Sequence, residues 1–164
     1  MNKICPPTIL KRQISDKFSQ FTTVCCLLIA VFVLGAIPNQ AQAQPEIEVS
    51  GNSISITDGD TTPQFSDFTD FGSANFVGVS INRNFVITNT GTTDLSIATP
   101  ISITGPHSSD FTVTSQPDMS VPPNGGTTLF SVRFDPTATG LRSAEISFGN
   151  NDADEDPFNF AIEG

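Results

Sequence analysis

Hydrophobic and polar residues alternate in short runs along most of this chain after residue 44, and no segment there has the 3.6-residue period of an amphipathic helix. Successive side chains of a strand point to opposite faces of a sheet, so each run predicts a strand with one buried and one solvated face. The apolar positions of these runs are Ile47, Val49, Ile54, Ile56, Phe85, Ile87, Leu95, Ile97, Ile101, Ile103, Phe111, Val113, Phe130, Val132, Phe134, Ala144, Ile146, Phe148, Phe158, Phe160 and Ile162.

Turn-forming residues separate the runs. Asp58-Gly59-Asp60 follows the second run, and residues 122–126 place two prolines, an asparagine and two glycines before the run that ends at Phe134. Gly and Asn adopt positive φ, while Pro fixes φ and removes a hydrogen-bond donor. About seven to nine short strands separated in this way predict an all-β fold, an antiparallel β-sandwich. We expect its two sheets to share a core of Phe85, Ile87, Phe111, Phe130, Val132, Phe134, Ile146, Phe148, Phe160 and Ile162.

The first 43 residues follow a different pattern. Four basic residues precede an uncharged apolar run at residues 24–37, and Ala41-Gln42-Ala43 has the small-x-small form that signal peptidase recognises. The apolar run is short for a membrane span. These features predict a signal peptide at residues 1–43 and a single domain at residues 44–164. The alternative is a leader that is retained as an N-terminal anchor.

Removal of the leader changes the composition of the chain. All three cysteines and four of the seven basic residues lie in it, so the remainder has no disulfide and carries sixteen acidic residues against three arginines, a formal charge of −13. Nucleic acids and anionic lipids bind through clustered Lys and Arg, so we expect neither as a partner. A protein partner and divalent cations stay compatible with such a surface.

The order of the runs and turns resembles that of a known family. The matching segments are residues 45–49 (Pro-Glu-Ile-Glu-Val), 56–60, 69–72, 85–91 (Phe-Val-Ile-Thr-Asn-Thr-Gly), 110–113, 121–126, 130–136 (Phe-Ser-Val-Arg-Phe-Asp-Pro), 151–158 and 162–164. Together they resemble the choice-of-anchor D domain of bacterial surface and secreted proteins. That domain belongs with the hydin-like immunoglobulin-like domains, which are similar to the major sperm protein fold.

The resemblance implies an immunoglobulin-like sandwich that serves as a building or docking unit, and it brings no catalytic residue. With the leader, it predicts a non-enzymatic structural or protein-interaction module that is extracellular, periplasmic or associated with the cell envelope. Eukaryotic members of the wider family occur in cilia and centrosomes, but the leader argues against such a location here.

The densest acidic cluster lies between the last two runs. Asp152, Asp154 and Asp156 alternate like the first ligands of a calcium loop, and they are the candidate metal ligands of this sequence. Pro157 stands where such a loop needs Gly, and Glu163, at the place of the closing ligand, lies in a predicted strand. A weak calcium-binding extracellular protein is therefore the alternative function, and a plain acidic turn is the alternative structure. We expect no other cofactor.

Two further groups of polar residues are weaker candidates. Asp58 and Asp60 flank Gly59 and form a second acidic turn. His107, with Ser108 and Asp110, has the residue types of a catalytic triad, but residues this close along an extended loop rarely converge as one. We therefore expect His107 to be a solvated loop histidine.

Phe65, Phe68 and Phe71 recur at every third position in a polar segment. We predict a loop whose three rings close one end of the sandwich, and the alternative is an exposed ligand-binding cluster.

The leader makes a direct prediction about the exported protein. Mass spectrometry of secreted material should find a chain that begins at Gln44, because Ala43 completes the cleavage motif. Recovery of material that still contains Lys3 to Lys17 would instead show a retained anchor.

Overall fold

The computed structural model describes residues 43–74 and 78–164, so the predicted signal peptide lies, but for Ala43, outside the described residues. The described part contains two short 3-10 helices, Phe65–Asp67 and Ser108–Asp110, and no helix in it is long and apolar enough to cross a membrane. Its ten strands are β1 (Ile47–Gly51), β2 (Ile54–Ile56), β3 (Ile81–Asn89), β4 (Leu95–Ser96), β5 (Ser102–Thr104), β6 (Phe111–Ser115), β7 (Ser120–Val121), β8 (Gly126–Phe134), β9 (Ser143–Phe148) and β10 (Phe158–Glu163).

A five-stranded antiparallel sheet has the order β2-β1-β3-β8-β6. Its centre is the pair β3–β8, nine residues in each strand, which runs from Ile81 opposite Phe134 to Asn89 opposite Gly126. The outer pair β6–β8 is bulged between Val113 and Ser115. The two longest strands of the fold therefore form the middle of this sheet.

The second layer is made of shorter strands. Strands β10, β9 and β5 form an antiparallel sheet, and β4 and β7 form a pair of their own. A single bridge between Ile97 and Asn150 joins the end of β4 to the segment after β9. The all-β sandwich is confirmed. The described residues contain ten strands rather than seven to nine, because the two-residue strand β7, which pairs with β4, lies outside the alternating runs.

The predicted core is confirmed, since all ten of its residues are buried. Phenylalanine rings from the two layers meet inside: the ring centroids of Phe85 and Phe160 are 5.4 Å apart, and those of Phe130 and Phe148 are 6.0 Å apart. Phe85 and Phe130 stack at 5.2 Å within the larger sheet. The alternation in the sequence therefore identified the buried face of most strands, whereas Ile54 of β2 is 43% exposed.

The prediction that three rings close one end of the sandwich is wrong for Phe65, which is 63% exposed. Only Phe71 is fully buried, while Phe68 is half-buried. The guanidinium carbon of Arg83 lies 4.2 Å from the ring centroid of Phe68 and 5.4 Å from that of Phe65. The guanidinium thus lies over the half-buried ring of Phe68 and near the exposed ring of Phe65, and the attraction of a cation to the faces of aromatic rings stabilises this arrangement.

Asp110 is a buried carboxylate at the end of the second 3-10 helix. The backbone N–H of Thr137 (3.2 Å), the hydroxyl of Thr137 (2.7 Å) and the Nε of Arg142 all donate to it. Burial raises the pKa of Asp110, but these hydrogen bonds and the charge of Arg142 lower it more, so that its pKa lies below the ordinary value of 3.8. The ionised carboxylate therefore fastens the β8–β9 connection to the start of β6.

Phe134 is the sharpest test of the core. Its ring stacks on Phe111 at 4.8 Å and is 1% exposed, so Phe134→Ala should lower the free energy of unfolding by roughly 3–5 kcal/mol. Leu129→Ala, in the same strand but at a side chain that is 48% exposed, should change it by less than about 1 kcal/mol. Urea denaturation followed by circular dichroism measures both. Equal losses in the two variants would contradict this core.

Asp110→Asn should lower stability in a pH-dependent way. Because the pKa of Asp110 is depressed in the folded state, its contribution is fully present above the ordinary pKa and is lost as pH falls through the folded value. At pH 7 the loss should be roughly 1.5–3 kcal/mol, the range for hydrogen bonds to charged groups. The difference between variant and native protein should shrink below about pH 4, as measured by urea denaturation at several pH values. A difference that stays constant with pH would reject the ionised pair.

Candidate acidic site

Residues 149–157 connect β9 to β10 and carry the acidic cluster. The side-chain oxygen of Asn150 accepts a hydrogen bond from the Asp152 N–H (2.7 Å), and its Nδ2 donates to the backbone oxygen of Glu155 (2.7 Å). The backbone N–H of Asn150 donates to Oδ1 of Asp156 (2.9 Å). Asn150 therefore connects three other residues of this loop by hydrogen bonds.

The loop is also tied to the start of the domain and to the β4 segment. Asn151 accepts a hydrogen bond from the Ser96 N–H (2.7 Å) and donates to the backbone oxygen of Asp94 (3.2 Å). Oδ2 of Asp152 accepts a hydrogen bond from the Ile47 N–H at 2.9 Å. The loop thus closes over the first residues of β1.

Asp152 differs from an ordinary turn residue because its side chain is only 1% exposed. Its Oδ1 is buried and has no hydrogen-bond partner in the described part of the protein. Glu46 and Glu155 each place a carboxylate oxygen near this side chain, such that one oxygen from each of the three residues lies within 4.8 Å of the other two. Three carboxylates from two distant segments therefore meet, and one of them has a buried oxygen without a partner.

The electrostatics of the cluster are unfavourable for three ionised groups. Burial, followed by the negative charges of Asp152, Glu46, Asp58 and Asp154, raises the pKa of Glu155 from 4.5 to about 7. Like charges within a few ångströms disfavour ionisation, and partial burial weakens the screening by water. Near neutral pH, Glu155 is therefore present in both its protonated and its ionised form.

Of the three metal ligands that the sequence predicted, the structure brings only Asp152 into this cluster. Asp154 is exposed, and Asp156 is exposed with one oxygen bonded to the Asn150 N–H. Glu163 is paired in β10 with Ser143, as expected from its place in a strand. Calcium binding by the predicted trio stays a prediction.

Sequence reasoning placed neither Glu46 nor Glu155 among the candidate ligands. Glu155 lies within the predicted acidic loop, between two of the candidates. Glu46 lies outside the loop, at the residue before β1, and it joins the cluster because Ile47 bonds to Asp152, 105 positions away in the chain. A contact between residues so far apart in the chain leaves no pattern in the sequence near either of them. The one available hint was an acidic residue directly before the first alternating run.

The second acidic turn has a structural role. Oδ1 of Asp58 accepts a hydrogen bond from the Asn159 N–H (2.8 Å). Oδ1 of Asp60 accepts from both the N–H (2.8 Å) and the hydroxyl (2.6 Å) of Thr62. These two aspartates shape the turn and attach it to β10.

The histidine and its neighbours have separate partners. His107 is half-buried rather than freely solvated, and its Nδ1 accepts a hydrogen bond from the Ser143 N–H at 2.9 Å. Asp110 is bonded to Thr137 and Arg142. No hydrogen bond joins the side chains of His107, Ser108 and Asp110 among the described residues. His107 thus attaches its loop to β9, and the three residues do not form a triad.

The fold places the protein among immunoglobulin-like β-sandwiches. A family model for the HYDIN/CFA65/VesB-like Ig-like domain matches residues 63–164, which is more than half of the chain. The protein belongs to this family, and the hydin-like resemblance of the sequence is confirmed. The narrower assignment to choice-of-anchor D stays a prediction.

Two solved structures are similar to this chain. A protein of unknown function from Porphyromonas gingivalis W83 has a TM-score of 0.53 and 21% identity, over 78% of this chain and 50% of that one. The chain thus spans half the length of the Porphyromonas protein. The ASH/PapD-like domain 7 of human CEP192 has a TM-score of 0.41 and 19% identity, over 77% of this chain and 89% of that domain. The comparison with curated proteins gave no match.

Proposed function

We propose that residues 44–164 form a secreted or envelope-associated, non-enzymatic module that docks onto another protein. Membership of the Ig-like family supports a role in protein interaction. The leader-like sequence before Gln44 supports a location outside the cytoplasm, either extracellular or periplasmic. The high negative charge argues against nucleic acid and anionic lipid.

The sheet edges of the described residues are poorly suited to docking by strand addition. Bridges from Asp60 and Asp70 cover the outer side of β10, β2 and β5 are three residues long, and β6 is interrupted by a bulge. Short, covered and bulged edges are the features with which proteins prevent strand addition. The solvent face of the larger sheet is therefore the better docking surface.

One apolar pair on that face carries the proposal. Leu129, 48% exposed, lies directly opposite the half-buried Val86 in the β3–β8 pair, while the neighbouring Phe85 and Phe130 point into the core. A shallow groove runs beside the pair. It is lined by Val86, Ser115, Gln116, Asp118, Thr127, Thr128 and Leu129.

The apolar pair and the groove together fit a protein partner that contributes an apolar side chain. An apolar centre with a rim of hydroxyl and amide groups is the arrangement found at protein–protein interfaces. Asp118 is the one charged residue of the groove, so basic groups around the partner's apolar anchor would be favoured.

A charge placed on the apolar pair tests the proposal. Leu129→Asp should abolish the cross-linking of the protein to its partner in its own host, because a carboxylate cannot be desolvated against an apolar anchor. Ile54→Asp is the matched control: Ile54 is an apolar residue of the same sheet, 43% exposed, and it lies outside the groove. Circular dichroism should show both variants folded, since both side chains are exposed.

Cross-linking followed by mass spectrometry reads out the result. Loss of one specific cross-linked protein in Leu129→Asp alone supports the docking function. Equal loss in both variants, or no specific cross-linked protein in the native chain, would overturn it.

Calcium binding, the alternative function, concerns the β9–β10 loop and not the groove. The two functions are compatible, because they use different parts of the domain.

A further inference from the structure

We propose that Glu46, Asp152 and Glu155 together bind one calcium ion at the junction of β1 and the β9–β10 loop. The site differs from the alternating aspartates of the sequence, of which it uses only Asp152. Its second ligand, Glu46, comes from the segment that precedes β1.

The unsatisfied oxygen of Asp152 is the observation that points to a ligand. Its carboxylate is 1% exposed, and Oδ2 is bonded to the Ile47 N–H, whereas the buried Oδ1 has no partner among the described residues. Leaving a buried charged acceptor unpaired is costly, and native proteins normally satisfy such atoms. A cation beside Oδ1 would satisfy it directly.

The spacing of the three carboxylates suits a calcium ion. Calcium binds oxygen at about 2.3–2.6 Å, so two oxygens on opposite sides of one ion are at most about 4.6–5.2 Å apart. The three oxygens here lie within 4.8 Å of one another, so each is at most about 2.8 Å (4.8/√3) from a common central point, and small side-chain movements would bring all three to the calcium–oxygen distance. Magnesium, at about 2.0–2.1 Å with strict octahedral geometry, tolerates less variation in the positions of its ligands than calcium does.

The chemistry of the ligands also selects a hard cation. All three are carboxylates, and neither histidine nor cysteine belongs to the cluster. Oxygen-only sites favour Ca²⁺ and Mg²⁺ over transition metals. Asp58 and Asp154 add negative charge nearby, and the ion pair found in the described structure, Arg142–Asp110, involves none of these residues.

Hydrogen bonds fix the backbones of the three ligand residues. The backbone oxygen of Glu46 accepts a hydrogen bond from the Thr90 N–H (2.8 Å), while Asn150 bonds to the backbones of Asp152 and Glu155. Two of the ligand side chains are nevertheless only partly buried or exposed, and the remaining positions would be filled by water. Such a site belongs in the weak extracellular range, with a Kd of about 10⁻⁴–10⁻³ M.

Calorimetric titration of the exported protein with calcium chloride tests the proposal. The native protein should bind one ion, and Glu46→Gln and Glu155→Gln should each weaken binding by at least about tenfold, because each removes one charged ligand. Asp154→Asn is the matched control. It removes one charge from the same loop but no ligand, so affinity should fall by less than about threefold.

Thermal unfolding, followed by circular dichroism, shows whether Glu155 binds the ion or only stabilises the fold. With a chelator present, Glu155→Gln should unfold at the same temperature as the native protein or at a higher one, because it relieves repulsion among the carboxylates. It should also lose the increase in midpoint that calcium gives the native protein. A merely structural role would lower the midpoint in both conditions.

Three results would overturn the proposal. The first is the absence of binding by the native protein in 10 mM calcium, about ten times the weakest expected Kd. The second is binding that is weakened by Asp154→Asn or Asp156→Asn and not by Glu46→Gln, which would return the site to the alternating aspartates. The third is tighter binding of magnesium than of calcium.

Discussion

The packing of phenylalanine rings between two sheets is the interaction on which the rest of this structure depends. The domain has no cysteine after residue 43, so no disulfide constrains its unfolded chain. One group of rings, Phe85, Phe130, Phe148, Phe158 and Phe160, links the two layers by successive contacts, and a second group, Phe71, Phe111 and Phe134, continues from it through Phe85. Each buried ring removes a large apolar area from water, and edge-to-face and stacked pairs add about 0.5–1.5 kcal/mol each.

Polar side chains that are buried together with this core need hydrogen-bond partners. Asn89 is fully buried, and its amide donates to the backbone oxygens of Thr93 and Val121 and accepts from the N–H of Gly91. Asp110 is likewise satisfied by Thr137 and Arg142. Asp152 stands apart, since it is as deeply buried as these residues but keeps one oxygen without a partner. Among the described residues, Nε of Arg83 is the other buried polar side-chain atom without a hydrogen-bond partner, but the Arg83 guanidinium lies over an aromatic ring, whereas Asp152 belongs to a cluster of carboxylates. This difference is why Asp152 indicates a ligand.

Positive charge is scarce in the domain, and two of its three arginines have partners within the fold. Arg142 pairs with Asp110, and Arg83 lies over the rings of Phe65 and Phe68 and donates to the backbone oxygen of Phe71. Arg133 lies exposed on the solvent face of β8. The surface is thus left with an excess of carboxylates. This excess favours cations and basic partners over anionic ones, and the uncharged pair Val86–Leu129 is a local exception to it.

The sequence by itself determined the strands, their buried faces and the position of the acidic loop. These features are local: a two-residue period sets the face of a strand, and Gly, Pro and Asn set the turns, whatever the rest of the chain does. The family could also be recognised, because its turns and strands recur in a fixed order.

The tertiary structure alone decided which acidic residues meet and which of them are buried. Glu46 and Asp152 are brought together by β1 and the β9–β10 loop, and Phe65 stays exposed, with the guanidinium carbon of Arg83 5.4 Å from its ring centroid. Burial depends on contacts between segments that are far apart in the chain, and no local pattern records such contacts.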